Sequence, residues 1–440
     1  MARIVKFFKV IRNNWKKSTF AAAALSYGVS YSVDSYDTEQ LMRQYCEEAV
    51  KYGDEPLPTH IKPRHVTVIL NPVAHKRKAE KLFKDYCEPL LHLSGIAVTI
   101  LQTESEGHAR NLVTNLNTQT DAIIVAGGDG TLSDVVTGIM RKYNVDLSLV
   151  RQCPIGILPL GQVNRVADSI FHGYEDHSHI REMAEATMAV VKGETKMIDV
   201  VEVQVLKQDP EKPMKPVYAV GALEWGAWRD ANARVNKYWY WGSLRKYATY
   251  VFNGYKGDLN WDCDGVIRYT EPCDGCSRCY YEHQTTSNST LERRWWHSFL
   301  PKRTSMPSVD YSKITNEKCG EVHEMPIAAS EVHVTTSNAK GVKAPAVPAV
   351  KVELGPKSVS YATFVAEGWK RVHGNKTLVN HTVEAKDIEL HPKKAEDISR
   401  EKEEMFSIDN EEFELKPIKI RLLPRTVKIF CPSSGSSFNK

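Results

Sequence analysis

The chain has 440 residues, 58 Lys and Arg against 54 Asp and Glu, and a formal net charge of +4, with 42% hydrophobic and 25% charged residues. That length exceeds one ordinary core and sets two domains as the first expectation, and the apolar and charged fractions are those of a globular chain. Near-balanced charge without a long basic stripe argues against a nucleic-acid partner, and nine cysteines at this length do not make a disulfide scaffold.

The chain opens on "MARIVKFFKVIRNNWKK", with Arg3, Lys6, Lys9, Arg12, Lys16 and Lys17 and no acid before Asp34. Ile4, Phe7, Phe8, Ile11 and Trp15 recur at helical spacing among these cations. A basic, amphipathic, acid-free start fits a mitochondrial presequence or an interfacial helix better than a secretory signal or an ordinary surface helix. The run from Thr19 to Val33 is only moderately apolar and shorter than the roughly 20 residues of a membrane span. Residues 1–33 are therefore expected to be a targeting or membrane-attachment segment, and 34–61 a helical lead-in and a Pro-rich linker.

From residue 62 to 195, short apolar strands alternate with helices: "VTVILNP", "KAEKLFKDYCEPLLHLSG", "IAVTILQT", "EGHARNLVTNL", "AIIVA" and its helix, "CPIGILPLG" and "IREMAEATMAVVKGE". This alternation predicts a doubly wound α/β domain with a parallel sheet. In "DAIIVAGGDGTLSDVVTGI" a buried strand runs into a glycine turn and then a helix with Leu132, Val135, Val136 and Ile139 on one face. Strand, Gly-rich turn and helix is the arrangement in which main-chain amides between Gly127 and Thr131 and a helix N-terminus hold phosphate. Asn71, Thr103 with Gly107, Gly127–Thr131 and Pro159–Gly161 all fall at the carboxyl ends of successive strands, where open α/β sheets bind ligands.

From residue 196 to 431 the texture becomes short alternating runs with polar breaks, the pattern of an antiparallel β-sandwich, interrupted by one helical segment, "RVNKYWYWGSLRKYATYVFNGY". A Cys-, Ser-, Thr- and Pro-rich insertion covers 260–325, and 432–440 form a tail. Cys263, Cys273, Cys276 and Cys279 have the spacing of a tetrahedral zinc site, with disulfides or free thiols as the alternatives. The fold class is thus a doubly wound parallel-sheet nucleotide domain followed by an all-β sandwich.

These ordered pieces, over about residues 62–430, resemble the lipid-kinase family that groups diacylglycerol kinases and sphingosine kinases, and within it a mitochondrial branch that phosphorylates glycerolipids. The resemblance implies ATP with Mg²⁺ as cofactors, surrounded by Asn71, Thr103, Gly107, Gly127, Gly128, Asp129, Gly130 and Thr131. It also places Arg245 at a nucleotide-binding position, with a solvated helix face as the alternative. In "SIDNEEFE", Asp409 and Glu411 match the family's Asp-Gly-Glu turn, with Asn410 at the glycine, a position Asn tolerates. Asp409, then Asp129, is the expected catalytic base for a lipid hydroxyl, and Glu411 an expected cofactor contact; a solvated acidic loop is the competing reading. Asp199, Asp230 and Asn232 are substrate-side candidates. Asp199 either orders the cleft, contacts substrate or ends a strand, and Asn232 replaces the acid that sphingosine kinases place there. Trp225, Trp228, Trp239 and Trp241 either line an acyl pocket or form core.

Two elements depart from the family pattern. "VAHKRK" puts His75 where a glycine is usual, and "PLGQVNR" replaces the small residues of the fourth turn by Gln162 and Val163. The implied activity is phosphorylation of mono- and diacylglycerol to lysophosphatidic and phosphatidic acid at the mitochondrial inner membrane, on the intermembrane-space side. A catalysis-independent place in the carrier-protein translocase is also implied as a partner role, with a sphingosine or ceramide kinase as the remoter reading.

Overall fold

The computed structural model describes residues 13–56, 62–116, 120–171, 179–206, 214–254, 259, 261–273, 275–278, 313–338, 347–374, 376–393 and 404–432. Four parallel strands open the chain's sheet: β1 (His65–Leu70), β2 (Ala97–Gln102), β3 (Ala122–Gly127) and β4 (Ile155–Pro159), in the order β2-β1-β3-β4. Val68 lies level with Ile100 on one side and Ile124 on the other, and Ile124 with Gly156. Every residue of β3 is buried, as expected of a central strand covered on both faces.

One helical layer contains α1 (Trp15–Gly53), the short helix Glu88–Leu93 and a later helix, His179–Lys192, which contact one another. The other contains α2 (His108–Thr114) packed on α3 (Asp129–Lys142). α1 runs unbroken through the expected boundary at 33/34. Its C-terminal part is docked: Tyr45 and Ala49 are buried, Tyr45 Oη donates to Glu185 Oε1 at 2.5 Å, and Glu48 pairs with Lys192 at 2.9 Å. Its first half is exposed. Among the described residues no helix is long and apolar enough to cross a membrane.

The second half is a sandwich. One sheet is antiparallel, in the order β12-β11-β10-β7-β14-β15: β7 (Ala222–Gly226), β10 (Glu331–Thr335), β11 (Val350–Leu354), β12 (His381–Ala385), β14 (Met405–Ile408) and β15 (Glu411–Glu414). The facing sheet holds β8 (Cys263–Thr270), β9 (Val322–Ala329), β13 (Asp387–Pro392) and β16 (Ile418–Phe430). Between them, residues such as Trp225, Val332, Val352, Ile388 and Ile420 form one apolar core.

Two strands tie the halves together more closely than the alternating pattern implied. β5 (Thr195–Val205) and β16 pair along nearly their whole lengths, with a register irregularity between Leu423 and Val427. Before it, β16 belongs to the sandwich; beyond it, Ile429 lies level with Ile155 of β4, parallel, and Val427, Ile429 and Phe430 join the nucleotide-half core. The sheet is therefore continuous from β2 to β9, through β16. A further helix in the sandwich half, Tyr361–Val372, was not expected from the alternating pattern; Ser360 caps it, accepting from Thr363 N at 3.2 Å, and Phe364 anchors it.

Candidate active site

Close backbone approach explains the glycines after β3. A Cβ on Gly128 would sit 2.9 Å from Val163 O, and one on Gly161 only 2.3 Å from the Gly128 Cα. The turns after β3 and β4 thus lie in contact, a packing only glycine allows. Asn164 secures the second turn, its Oδ1 accepting from Gly161 N at 3.0 Å and its Nδ2 donating to Pro159 O and Gly161 O. Asn71, at the end of β1, donates from Nδ2 to Thr131 Oγ1 at 3.3 Å. Thr103 N donates to Leu70 O, and Gly107, at φ +71°, opens α2.

The main-chain donors are fewer than the turn's sequence implied. Asp129 N donates to Val163 O at 3.2 Å. The amides of Gly130 and Thr131 lie in the first turn of α3, where N–H groups have no partner within the helix. After β1, His75, Lys76 and Arg77 occupy three consecutive left-handed conformations, at φ 49°, 57° and 65°. The cationic stretch therefore keeps the backbone path of a glycine turn despite its side chains.

The other half supplies the facing acids. β14 and β15 are joined by a two-residue turn in which Asp409 (φ +47°) and Asn410 (φ +67°) are both left-handed. Asn410 thus serves where the family carries glycine. A Cβ on Gly130 would lie 3.2 Å from Glu411 Cγ and 3.4 Å from Asp409 O, so this turn rests directly on the first turn of α3. The Asp409 carboxylate is buried and accepts three amides, from Val220 at 2.8 Å, Gly221 at 2.9 Å and Ala222 at 2.8 Å. Asp129 accepts from Arg165 N at 3.0 Å and Val166 N at 3.3 Å, capping the helix Arg165–Ile170.

Crowded acids repel one another. Burial, then Asp409, pushes the Asp129 carboxyl up to about 7 against the pull of the Arg165 amide. Burial and then Asp134 push Glu411 up to about 8, against Arg110. Burial also raises Asp409, although its three amides oppose the shift.

Two arginines that the sequence did not single out serve this cluster. Arg110 of α2 pairs with Asp134 and lies 3.9 Å from Glu411. Arg165 pairs with Glu224 of β7 at 2.6 Å while its field reaches Asp129 and Asp409. Burial would raise Glu224, but Arg165 and His333 hold it well below the usual carboxylate range. Arg165 was visible only as the unexpected last letter of "PLGQVNR".

The remaining expected residues lie elsewhere. Arg245 begins the helix Arg245–Gly254 and donates to Asn236 Oδ1 at 3.4 Å, whereas Arg110 lies 3.9 Å from Glu411 and Arg165 acts on Asp129 and Asp409 through its field. The Asp199 carboxylate accepts from Ser337 Oγ at 2.5 Å and Arg425 N at 2.8 Å, bracing the irregularity in β16. Asp230 pairs with Arg229 at 3.0 Å, which also reaches Glu412 at 2.7 Å, one residue past Glu411. Asn232, on the same helix, is exposed. Trp225 and Trp228 are core, whereas Trp239 and Trp241 are exposed. Cys263 corrects the expected metal set: it is buried in the sandwich core, 3.0 Å from where a Gly226 Cβ would stand. Cys273 and Cys276 converge instead with Cys319, and Cys279 lies outside the described residues.

Comparison with known proteins identifies the family. Residues 65–203 match the diacylglycerol kinase catalytic domain, and residues 220–437 the acylglycerol kinase C-terminal family. The chain is 34% identical to mitochondrial acylglycerol kinase of Mus musculus, over 97% of this chain and 96% of that protein, and 33% identical to the Homo sapiens protein over the same shares. A solved structure of a putative diacylglycerol kinase from Bacillus anthracis aligns with a TM-score of 0.48 at 17% identity, covering 84% of this chain and 98% of that one. With such identity over nearly the full length of both chains, this protein belongs to the acylglycerol kinase family of lipid kinases.

Proposed function

We propose that the chain transfers the γ-phosphoryl group of ATP to the hydroxyl of mono- and diacylglycerol, at the mitochondrial inner membrane. The observation that carries this reading is the seating of the Asp409–Glu411 turn on Gly130, which sets acids of one half against the orphan amides of the other. The Gly130 and Thr131 amides with the α3 N-terminus suit a phosphate. Arg165 and Arg110 stand by to neutralise charge that develops during transfer.

The donor set fits Mg²⁺. Asp129, Asp409 and Glu411 are hard oxygen donors whose mutual repulsion a divalent cation would offset; they would hold Mg²⁺, which would supply positive charge to the transferring phosphate. Asp409 is the residue proposed to take the acceptor's proton. Three amides fill three of the about four lone-pair positions of its carboxylate and leave room on Oδ2, and burial raises its affinity for that proton. Asp129 is the second candidate. The named mitochondrial relatives support the location, and the exposed aromatics Trp239, Tyr240 and Trp241 suit a lipid-borne substrate.

Purified full-length chain should move labelled phosphate from ATP onto diacylglycerol and monoacylglycerol, and Asp129→Ala should lose at least about 100-fold of that rate per folded molecule. Transfer to sphingosine in preference to glycerolipid, or an unimpaired Asp129→Ala variant, would overturn the assignment.

A further inference from the structure

β8 and β9 are hydrogen-bonded neighbours from Cys263↔Ala329 to Thr270↔Val322, and the chain leaves the end of β8 at Glu271 and returns at Glu321. At this neck the thiols of Cys273, Cys276 and Cys319 all lie within 4.8 Å of one another, with Cys276 fully buried and the other two half-buried. Glycine shapes both arms: Gly275, at φ +116°, bends the Cys273–Cys276 turn, and Gly320, at φ +80°, turns the chain away directly after Cys319. Further contacts join the arms independently of sulfur. Ser277 N donates to Ile314 O at 2.8 Å, and Arg278 Nη1 donates to Glu317 O and Cys319 O. Asn316 Nδ2 donates to Cys273 Sγ at 3.4 Å, a contact that suits a sulfur carrying negative charge.

We propose that Cys273, Cys276 and Cys319 form a structural zinc site that closes the neck between β8 and β9. Zinc–thiolate bonds of about 2.3 Å in a tetrahedron place sulfurs about 3.8 Å apart, so the observed grouping needs to contract by about 1 Å at most. On binding, three S–H protons pass to solvent as three Zn–S bonds form, and with a water completing the tetrahedron the centre carries one net negative charge beside the Arg278 guanidinium. A disulfide would use two of the sulfurs and strand the third, whereas a metal uses all three. The insertion has little apolar content of its own, and a metal joins its two ends without needing a core.

The test is metal content of the full-length chain, purified under reducing, chelator-free conditions with zinc supplied. About one zinc per chain is expected, falling below a tenth of that in Cys319→Ser and in Cys276→Ser and unchanged in Cys431→Ser. Because a neck variant can misfold, the wild-type chain is also exchanged with Co²⁺, which should give thiolate-to-cobalt charge transfer and tetrahedral d–d bands. Zinc retained by Cys319→Ser, a metal-free chain with three alkylatable thiols at these positions, or a disulfide among them in a non-reducing peptide map would each overturn the proposal.

Discussion

Glu411 is the acid whose environment makes its role most accessible to experiment. Its folded carboxyl is pushed up to about 8 by burial and then by Asp134, against an ordinary value near 4.5. Between those two values the folded chain holds a proton that the unfolded chain has released, so this residue's contribution to stability declines as pH climbs through that window. Glu411→Gln keeps the shape and removes the charge. Thermal melts without nucleotide should show the variant more stable than wild type at pH about 8.5, by on the order of 1 kcal/mol, with the gap closing toward pH about 5. Its kinase rate should fall at least about 10-fold, because the same charge serves cation and phosphate. For a Mg²⁺ ion held by these acids the raised carboxyls also fix the sign of a linkage: its binding would expel protons from Asp129 and Glu411. Affinity for the ion should therefore rise between pH about 6 and 9, with proton release measurable by calorimetry in buffers of different ionisation enthalpy. Affinity independent of pH would remove these two acids from the cation site.

At the scale of elements, two contacts decide whether the site is assembled. The first is Gly161 against Gly128, where an added methyl would stand 2.3 Å from a Cα that cannot move without displacing the β3 turn. Gly161→Ala should abolish ATP binding in a protein that still folds, since the strands carrying both turns are anchored in the core. The second is Asp199. Replacing it by Ala strands the Ser337 hydroxyl and the Arg425 amide and should lower stability by about 2–4 kcal/mol, with kcat per folded molecule changing less than about 3-fold. A large kcat loss with normal melting would instead make Asp199 a substrate residue. Such contacts mark where the sequence was legible. The strands, the β3 turn and the left-handed Asp409–Asn410 pair follow from short-range rules of strand, glycine and Asn chemistry. Arg165 against Glu224, and Cys319 beside Cys273, follow from the pairing of strands far apart in the chain, which local periodicity does not encode. The helix Tyr361–Val372 went unread although Phe364, Val365 and Val372 recur at helical spacing and pack in one cluster, because the segment is short and lies between alternating runs.

For the molecule as a whole, the pairing of β5 with β16 is the main constraint. Because one ladder crosses from the sandwich into the nucleotide core, a wide hinge opening would break backbone hydrogen bonds. Access to the acids is therefore a matter of turns and side chains, and the lipid must be brought to a nearly fixed cleft. The exposed first half of α1 is the expected means of that delivery. Trp15, Phe20, Leu25, Tyr27, Val29 and Tyr31 are exposed and distributed around the helix rather than along one face. A stretch of this kind leaves apolar surface in water on every side, and only the region from about Leu41 onward packs on the core. Removal of residues 1–36 should leave Tyr45, Glu48 and Ala49 docked and the melting transition in place. It should leave the rate on detergent-dispersed diacylglycerol within about 2-fold of wild type, while the rate on diacylglycerol in anionic vesicles falls at least about 10-fold along with vesicle binding. Equal loss on both substrates would mean that the segment supports the fold rather than the membrane encounter. No loss on either would assign the encounter to the exposed Trp239–Trp241 run, where Trp239→Ala with Trp241→Ala should then reproduce the vesicle-specific defect.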